Sequence, residues 1–74
     1  MKNDTTFQIE LEKVQIQLND SKFEDAEALV TRMLQTYNSL DYELLLKRSR
    51  IRQCQMKYEE ALLDANLAHN ILPQ

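Results

Sequence analysis

The sequence predicts an all-α protein of four helices, paired into two antiparallel helical hairpins. The 74-residue chain contains no glycine, one proline and 28% charged residues, a composition that favours helices over strands. Apolar residues recur every three to four positions, as on one face of an amphipathic helix. The second half of the chain also repeats the first half at a constant offset. At this length we expect a single small domain, residues 1–74.

Four segments carry the helical period, and short polar breaks separate them. The predicted helices span residues 6–19, 22–37, 41–55 and 57–71. In the first segment the apolar stripe is formed by Phe7, Leu11, Val14 and Leu18, with Ile9 and Ile16 widening it. Breaks this short favour consecutive helices that pack antiparallel.

Capping residues and a proline mark the expected helix ends. Ser21 and Glu24 have the spacing of a capping box, whose hydroxyl and carboxylate satisfy free amides at a helix start. Ser39 or Asp41 is expected to cap the third helix. Pro73 is expected to end the fourth helix, because proline has no amide hydrogen to donate.

The same pattern predicts which side chains are buried. On the second helix we expect burial of Phe23, Ala26, Val30, Met33 and Tyr37. On the fourth helix we expect burial of Tyr58, Ala61, Leu62, Ala65, Ala68 and Leu72. Cys54 falls on the apolar stripe of the third helix and is expected to be buried as well. Three further residues lie off the stripe of the fourth helix and predict an exposed association face: Leu63, Leu67 and Ile71.

The two halves of the chain are related by an offset of 35 residues. Aligning KFEDAEALVTRML with KYEEALLDANLAH pairs Phe23 with Tyr58, Ala26 with Ala61, Val30 with Ala65 and Met33 with Ala68. A constant offset that keeps aromatic, alanine and apolar classes indicates a structural repeat. The repeats are expected at about residues 6–38 and 41–73, and the alanines let the helices within each repeat approach closely.

The second unit resembles the tetratricopeptide repeat (TPR). That family's pattern of aromatic, alanine, apolar, alanine and proline residues is matched by Tyr58, Ala61, Ala65, Ala68 and Pro73. The first unit is a degenerate match, because Asn38 stands where the proline would be. The first helix of each unit also departs from the family's pattern. Val14 in the first unit and Ser49 in the second stand where the family usually has glycine, and Lys13 and Arg48 stand where it usually has leucine.

The resemblance implies a short right-handed superhelix whose concave groove docks a peptide or helix of a partner protein. It also implies a non-enzymatic role, as part of an adaptor or co-chaperone. The groove residues expected to bind the partner are Gln15, Lys47, Arg50 and Gln53. The carboxylate clamp of chaperone-binding members is not recognisable, because Leu11, Gln15 and Lys47 stand at its positions and a third unit is missing.

The segment LLLKRSRIRQCQMK, residues 44–57, holds five of the nine basic residues and no acid. At about 100° per residue these cations do not form one stripe. Two interpretations stay open: Arg50 contacts a carboxylate or phosphate of a ligand, or the arginines pair with Glu43, Glu59, Glu60 or Asp64. Nucleic-acid binding is not expected, because the net charge is −3 and no aromatic residue interleaves the run.

Enzyme, metal, cofactor and membrane classes lack their characteristic residues in this sequence. Cys54 and His69 are the only residues of their types, so neither a metal-ligand set nor a Cys–His pair is visible. His69 and the acidic clusters 24–27 and 59–60 are expected to complement helix dipoles. No apolar run is long enough to span a bilayer, and a single cysteine fits a reducing compartment, so we expect a cytoplasmic or nuclear protein.

Two alternative interpretations remain at the level of the whole chain. The first is a structural module that self-associates, as a homo-oligomer, with no ligand in its groove. The second is an unrelated four-helix bundle in which the repeat spacing is accidental, in which case the two halves would not form equivalent hairpins.

Overall fold

A computed structural model describes residues 5–71 and shows four α-helices and no strand within that range. The helices are α1 (Thr5–Asn19), α2 (Phe23–Thr36), α3 (Tyr42–Cys54) and α4 (Tyr58–Ile71). The predicted all-α class is therefore confirmed, and each helix agrees with its predicted bounds to within one residue at either end. The predictions that concern Leu72 and Pro73 lie outside the described residues.

The helices pack in chain order, α1 against α2, α2 against α3 and α3 against α4. Because the connections are short, consecutive helices run antiparallel. A continuous core lies between them, with a radius of gyration of 11.7 Å over Cα atoms. Its largest fully buried apolar side chains are Phe7, Val14, Val30, Met33, Leu44, Leu45 and Ile51.

The turn between α1 and α2 closes with two hydrogen bonds that run back into α1. The Ser21 amide donates to the Leu18 carbonyl at 3.0 Å, and the Lys22 amide donates to the Gln17 carbonyl at 2.8 Å. Ser21 has a φ of 61°, in the left-handed region. This pair of bonds around a left-handed residue is the Schellman motif, which satisfies carbonyl groups at a helix end.

The turn between α3 and α4 repeats this motif 35 residues later. The Met56 amide donates to the Gln53 carbonyl at 3.0 Å, and the Lys57 amide donates to the Arg52 carbonyl at 2.8 Å. Met56 has a φ of 64°. The two hairpins therefore share turn geometry as well as sequence pattern. An unrelated four-helix bundle with accidental repeat spacing would not be expected to have the same turn in both halves.

The predicted capping box at the start of α2 is wrong. The residue that precedes α2 is Lys22, and no side chain forms a hydrogen bond at that cap. Ser21 is held in its left-handed conformation by the end of α1, so it is not placed as the N-cap of α2. The cap predicted for α3 is confirmed for Asp41, whose Oδ1 accepts from the Leu44 amide at 3.0 Å.

Burial follows the prediction on α2 and departs from it on α4. Ala26, Val30 and Met33 are buried on α2, and Phe23 and Tyr37 are half-buried. The Tyr37 hydroxyl donates to Glu10 at 2.6 Å, and its ring meets Phe7 edge to face, with centroids 4.9 Å apart. These contacts fix the end of α2 against α1.

On α4, Ala61 and Ala68 are buried and Ala65 is half-buried, but Tyr58 and Leu62 are 62% and 60% exposed. The predicted burial of those two is wrong. The face that α4 turns to α3 is narrow and centres on Ala61, Asp64 and Ala68, and Tyr58 and Leu62 lie on its edge.

The small side chain of Ala61 allows a direct contact between α3 and α4. Ser49 is buried on α3, and its hydroxyl donates to the Ala61 carbonyl at 2.8 Å. A hydroxyl that bonds the backbone of the neighbouring helix requires the two backbones to lie close together. The alanine at position 61 is therefore explained by helix packing, as the sequence indicated.

Cys54, predicted to be buried, is exposed. The apolar stripe of α3 ends at the fully buried Ile51, and Cys54 is the last residue of the helix. Rotated by about 60° from the direction of Ile51, its side chain leaves the core face and reaches the surface.

Candidate functional site

The basic residues of α3 divide into two groups on different faces of the helix. Arg48 and Arg52 point toward α4, where both bind Asp64. Arg48 Nε and Nη2 each donate to an Asp64 oxygen at 2.9 Å, and Arg52 Nη1 donates to Asp64 Oδ2 at 2.8 Å. Asp64 is 2% exposed, and these donors provide hydrogen bonds to both of its buried oxygens.

Glu27 on α2 extends this arrangement across a third helix. Arg52 Nε donates to Glu27 Oε2 at 2.7 Å, and Lys57 Nζ donates to Glu27 Oε1 at 3.0 Å. Arg48 Nη1 also donates to the Thr31 hydroxyl at 3.3 Å. We call Glu27, Arg48, Arg52, Lys57 and Asp64 the ion cluster. It joins α2, α3 and α4 through charged hydrogen bonds.

Two pKa values are shifted within the ion cluster. Burial alone raises the pKa of Glu27, but hydrogen bonds from Arg52, Lys57 and Gln55 outweigh it and lower this pKa below its ordinary value of 4.5. Burial alone lowers the pKa of Arg52, whereas the hydrogen bond to Glu27 and the charge of Asp64 raise it. Both groups are thereby kept charged.

The ion cluster agrees with one of the two interpretations of the basic run for Arg48 and Arg52. Asp64 was among the predicted partners, but Glu27 was assigned only to the dipole of α2. A sequence signal for the cluster existed: Asp64 lies between Ala61 and Ala68 on the buried stripe of α4. A carboxylate at such a position requires a cation from the neighbouring helix.

Lys47 and Arg50 form the second group, on the face of α3 that is turned away from the ion cluster. They line a cavity of about 350 Å³ between α1, α2 and α3. Its lining residues are Gln15, Leu18, Phe23, Lys47, Arg50 and Cys54. Three of the four predicted groove residues, Gln15, Lys47 and Arg50, are thus brought together, whereas Gln53 is exposed and does not line this cavity.

A second cavity, of about 390 Å³, continues along the same face toward the start of α3. It is lined by Tyr42, Glu43, Leu46, Lys47 and Arg50. Because Lys47 and Arg50 line both cavities, the two form one continuous surface along α3. We call this surface the α3 groove.

The cations of the α3 groove form no ion pair in the part of the chain that the structure describes, although Glu43 lines one of the two cavities with them. Within residues 5–71, neither Lys47 nor Arg50 takes part in an ion pair, in contrast to Arg48, Arg52 and Lys57. Arg50 is exposed and Lys47 is half-buried. Their guanidinium and ammonium donors are therefore available to a carboxylate from outside.

The predicted association face on α4 is exposed in two of its three residues. Leu63 and Leu67 are 64% and 44% exposed, and Leu62 joins them on the surface. The predicted exposure of Ile71 is wrong, because it is half-buried and packs against the core. Ile71 is rotated by about 40° around the helix axis from Leu67, toward the core, so it lies at the border of the buried face.

Other candidate chemistries find no assembled site in the part of the chain that is described. Residues 5–71 contain no group of three or more His, Cys, Asp or Glu side chains that could hold a metal ion. His69 is exposed near the end of α4, and Cys54 lies in the α3 groove, on the far side of α3 from α4. None of the described helices is long and apolar enough to cross a membrane.

Comparison with known proteins gives no further guidance to the family. No family model, no curated protein and no solved structure matches the chain.

Proposed function

We propose that this protein is a tetratricopeptide-like interaction module that docks a peptide or helix of a partner protein in the α3 groove. The observation that carries the proposal is the pair of unpaired cations, Lys47 and Arg50, in a surface that also offers apolar contacts. Sites that bind protein segments combine apolar contact area with a few polar groups that fix orientation. The repeated Schellman turns support a repeat architecture.

The finer features of this proposal follow from the resemblance. They are the right-handed superhelix, a non-enzymatic role in an intracellular adaptor or co-chaperone, and placement within a larger assembly. The carboxylate clamp typical of chaperone-tail binding is not recognisable, so the proposal concerns another protein ligand.

Cys54 provides a direct test, because it is the only cysteine and lies in the α3 groove. A photo-crosslinker attached to the Cys54 thiol should capture a partner protein in an extract of the source cells. Arg50→Glu should abolish that capture and leave the helical circular dichroism unchanged. A matched control is Cys54→Ser combined with Ala28→Cys, which moves the crosslinker to an exposed position on α2 outside the α3 groove.

Three outcomes of this experiment lead to different conclusions. Capture that depends on Cys54 and Arg50 supports docking in the α3 groove. Equal capture from both crosslinker positions would argue against a specific groove. Capture that survives Arg50→Glu, or capture of only a second copy of the chain, would favour the structural alternative.

That second candidate, self-association, is favoured by a separate observation. Leu63 and Leu67, four residues apart, expose apolar surface side by side on the outer side of α4. An isolated helical repeat leaves such a face uncovered at its end, where a further repeat or another chain covers it in longer arrays. The apolar face is therefore expected to associate.

A further inference from the structure

The α3 groove presents an ordered sequence of surfaces along the helix. Tyr42 and Leu46 provide a partly exposed apolar surface at its start. Lys47 and Arg50 follow in the middle, where the two cavities meet. Leu18 and Phe23, which pack against the core with part of their surface exposed, provide a second apolar surface near Cys54. Glu43 also lines the first cavity, between Tyr42 and Leu46 in the sequence. Apart from that carboxylate, the order along the groove is apolar, cationic, apolar.

Charge makes the middle of the groove selective. The chain has a net charge of −3, yet its two unpaired α3 cations lie together in this groove. A partner that covers them removes water from both charges, which is costly unless the partner supplies negative charge. A guanidinium and an ammonium close to each other are best satisfied by carboxylates.

From this juxtaposition we infer that the α3 groove selects a partner segment in which acidic residues are flanked on both sides by apolar residues. This inference rests on the proposed docking function and specifies its ligand. From Tyr42 to Cys54 the groove follows about 18 Å of helix. That length accommodates an extended segment of about six residues, or about three turns of helix.

The test uses the whole chain, labelled with ¹⁵N, and a series of synthetic peptides. The first peptide has the core Leu-Leu-Glu-Glu-Leu-Leu between Gly-Ser flanks. In the second and third, the glutamates are replaced by glutamines and by lysines. A fourth peptide carries residues 56–67 of this chain, MKYEEALLDANL, in which acids also lie between apolar side chains.

We expect the glutamate peptide to shift the backbone amide resonances of Leu46, Lys47, Arg50 and Cys54. Its affinity should exceed that of the glutamine peptide by about tenfold, and the lysine peptide should not bind. Raising NaCl from about 50 mM to about 300 mM should weaken the glutamate peptide several-fold, because exposed charges are screened.

Charge-reversal variants locate the effect. Lys47→Glu with Arg50→Glu should remove binding of the glutamate peptide. Lys13→Glu with Arg32→Glu changes the net charge equally at exposed positions outside the α3 groove and should leave binding intact. Circular dichroism of both variants checks that they remain folded.

Each contrary result has a separate meaning. Equal affinity of the glutamine and glutamate peptides for the groove would overturn the inferred acidic ligand and leave groove docking standing. If no peptide shifts a resonance of the α3 groove, both the inferred acidic ligand and the proposed groove docking are overturned. Tighter binding of the 56–67 peptide than of the glutamate peptide, together with groove-dependent self-association, would make a second copy of the chain the occupant and overturn the inference of a separate partner.

Discussion

Two residues, Ser21 and Met56, hold backbone conformations that glycine adopts more readily. Their φ angles of 61° and 64° lie in the left-handed region, where a side chain collides with the neighbouring carbonyl. Glycine is the usual residue at this position of a Schellman motif, and the chain contains none. Both hairpins therefore store strain at equivalent positions.

Replacing Met56 with glycine should stabilise the protein. Met56 is 75% exposed, so its removal loses little packing, while the strain of the left-handed conformation is relieved. We expect Met56→Gly to raise the free energy of unfolding by up to about 1 kcal/mol, the gain being limited by the larger entropy of an unfolded glycine. Urea denaturation measures it. Met56→Ala retains the β-carbon and should give no comparable gain; an equal gain would show that strain at the turn is not the cause.

The ionisation of Glu27 makes stability depend on pH. Its pKa is lower in the folded protein than its ordinary value of 4.5, so the folded state favours the charged carboxylate. This contribution is present above the ordinary pKa and is lost as the pH falls through the folded-state value. We therefore expect stability to decline on acidification below about pH 5.

Glu27→Gln separates this contribution from those of other carboxylates. The variant should be less stable than the wild type at neutral pH, and the difference should narrow as the pH falls below 4.5. Thermal unfolding at a series of pH values provides the measurement, with the exposed Glu59→Gln as control. A difference that stays constant with pH would exclude Glu27 as a source of the dependence.

At the scale of the helices, Asp64 links α4 to α3. Both Arg48 and Arg52 bind its carboxylate, and the group is almost fully buried. Asp64→Ala leaves two partly buried guanidinium groups without this partner, and such a loss costs about 3–5 kcal/mol. We expect the variant to be largely unfolded, or to show a midpoint shifted strongly toward lower urea.

If Asp64→Ala unfolds the chain, a double-mutant cycle with a milder substitution can still measure how strongly Asp64 and Arg48 stabilise the fold together. Asp64→Asn keeps the side-chain volume and one acceptor oxygen, so it should destabilise less than Asp64→Ala. In the Arg48→Met background, Asp64→Asn should lower the free energy of unfolding by less than it does in the wild type, because the bidentate Arg48–Asp64 pair is already broken. Additive effects would indicate that Asp64 and Arg48 contribute independently.

At the scale of the whole molecule, regular features were predictable and long-range charge pairing was not. The apolar period and the constant offset between Phe23 and Tyr58 determine helix bounds and hairpins, because both depend on local spacing. The prediction that Ser21 caps α2 was wrong, because Ser21 belongs to the turn that ends α1 and is not placed to cap the start of α2. Glu27 and Arg52 are 25 residues apart, and no local pattern shows that they meet.

In the α3 groove, too, some features were predictable from local spacing and others depend on the tertiary structure. Helical spacing indicated that the basic residues of α3 do not form one stripe, and the structure places Arg50 on a different face from Arg48 and Arg52. The contributions of Leu18 and Phe23 depend on how α1 and α2 pack beside α3, which requires the tertiary structure. Tyr58 and Leu62 were assigned to the core by period alone, and the narrow contact of α4 with α3 leaves them exposed.

The exposed leucines of α4 predict self-association of the isolated chain. Light scattering coupled to size-exclusion chromatography should show the wild type as an oligomer and Leu67→Glu as a folded monomer, because a carboxylate in an apolar interface loses its hydration. Ile16→Glu is the matched control: Ile16 is also exposed, but on α1, and its substitution should leave the oligomer intact. If the wild type is already a monomer at the concentrations used, the α4 face does not drive assembly, and the α3 groove is left as the interaction surface. If Ile16→Glu dissociates the oligomer as well, the interface includes α1, and copies associate with α4 of one against α1 of the next.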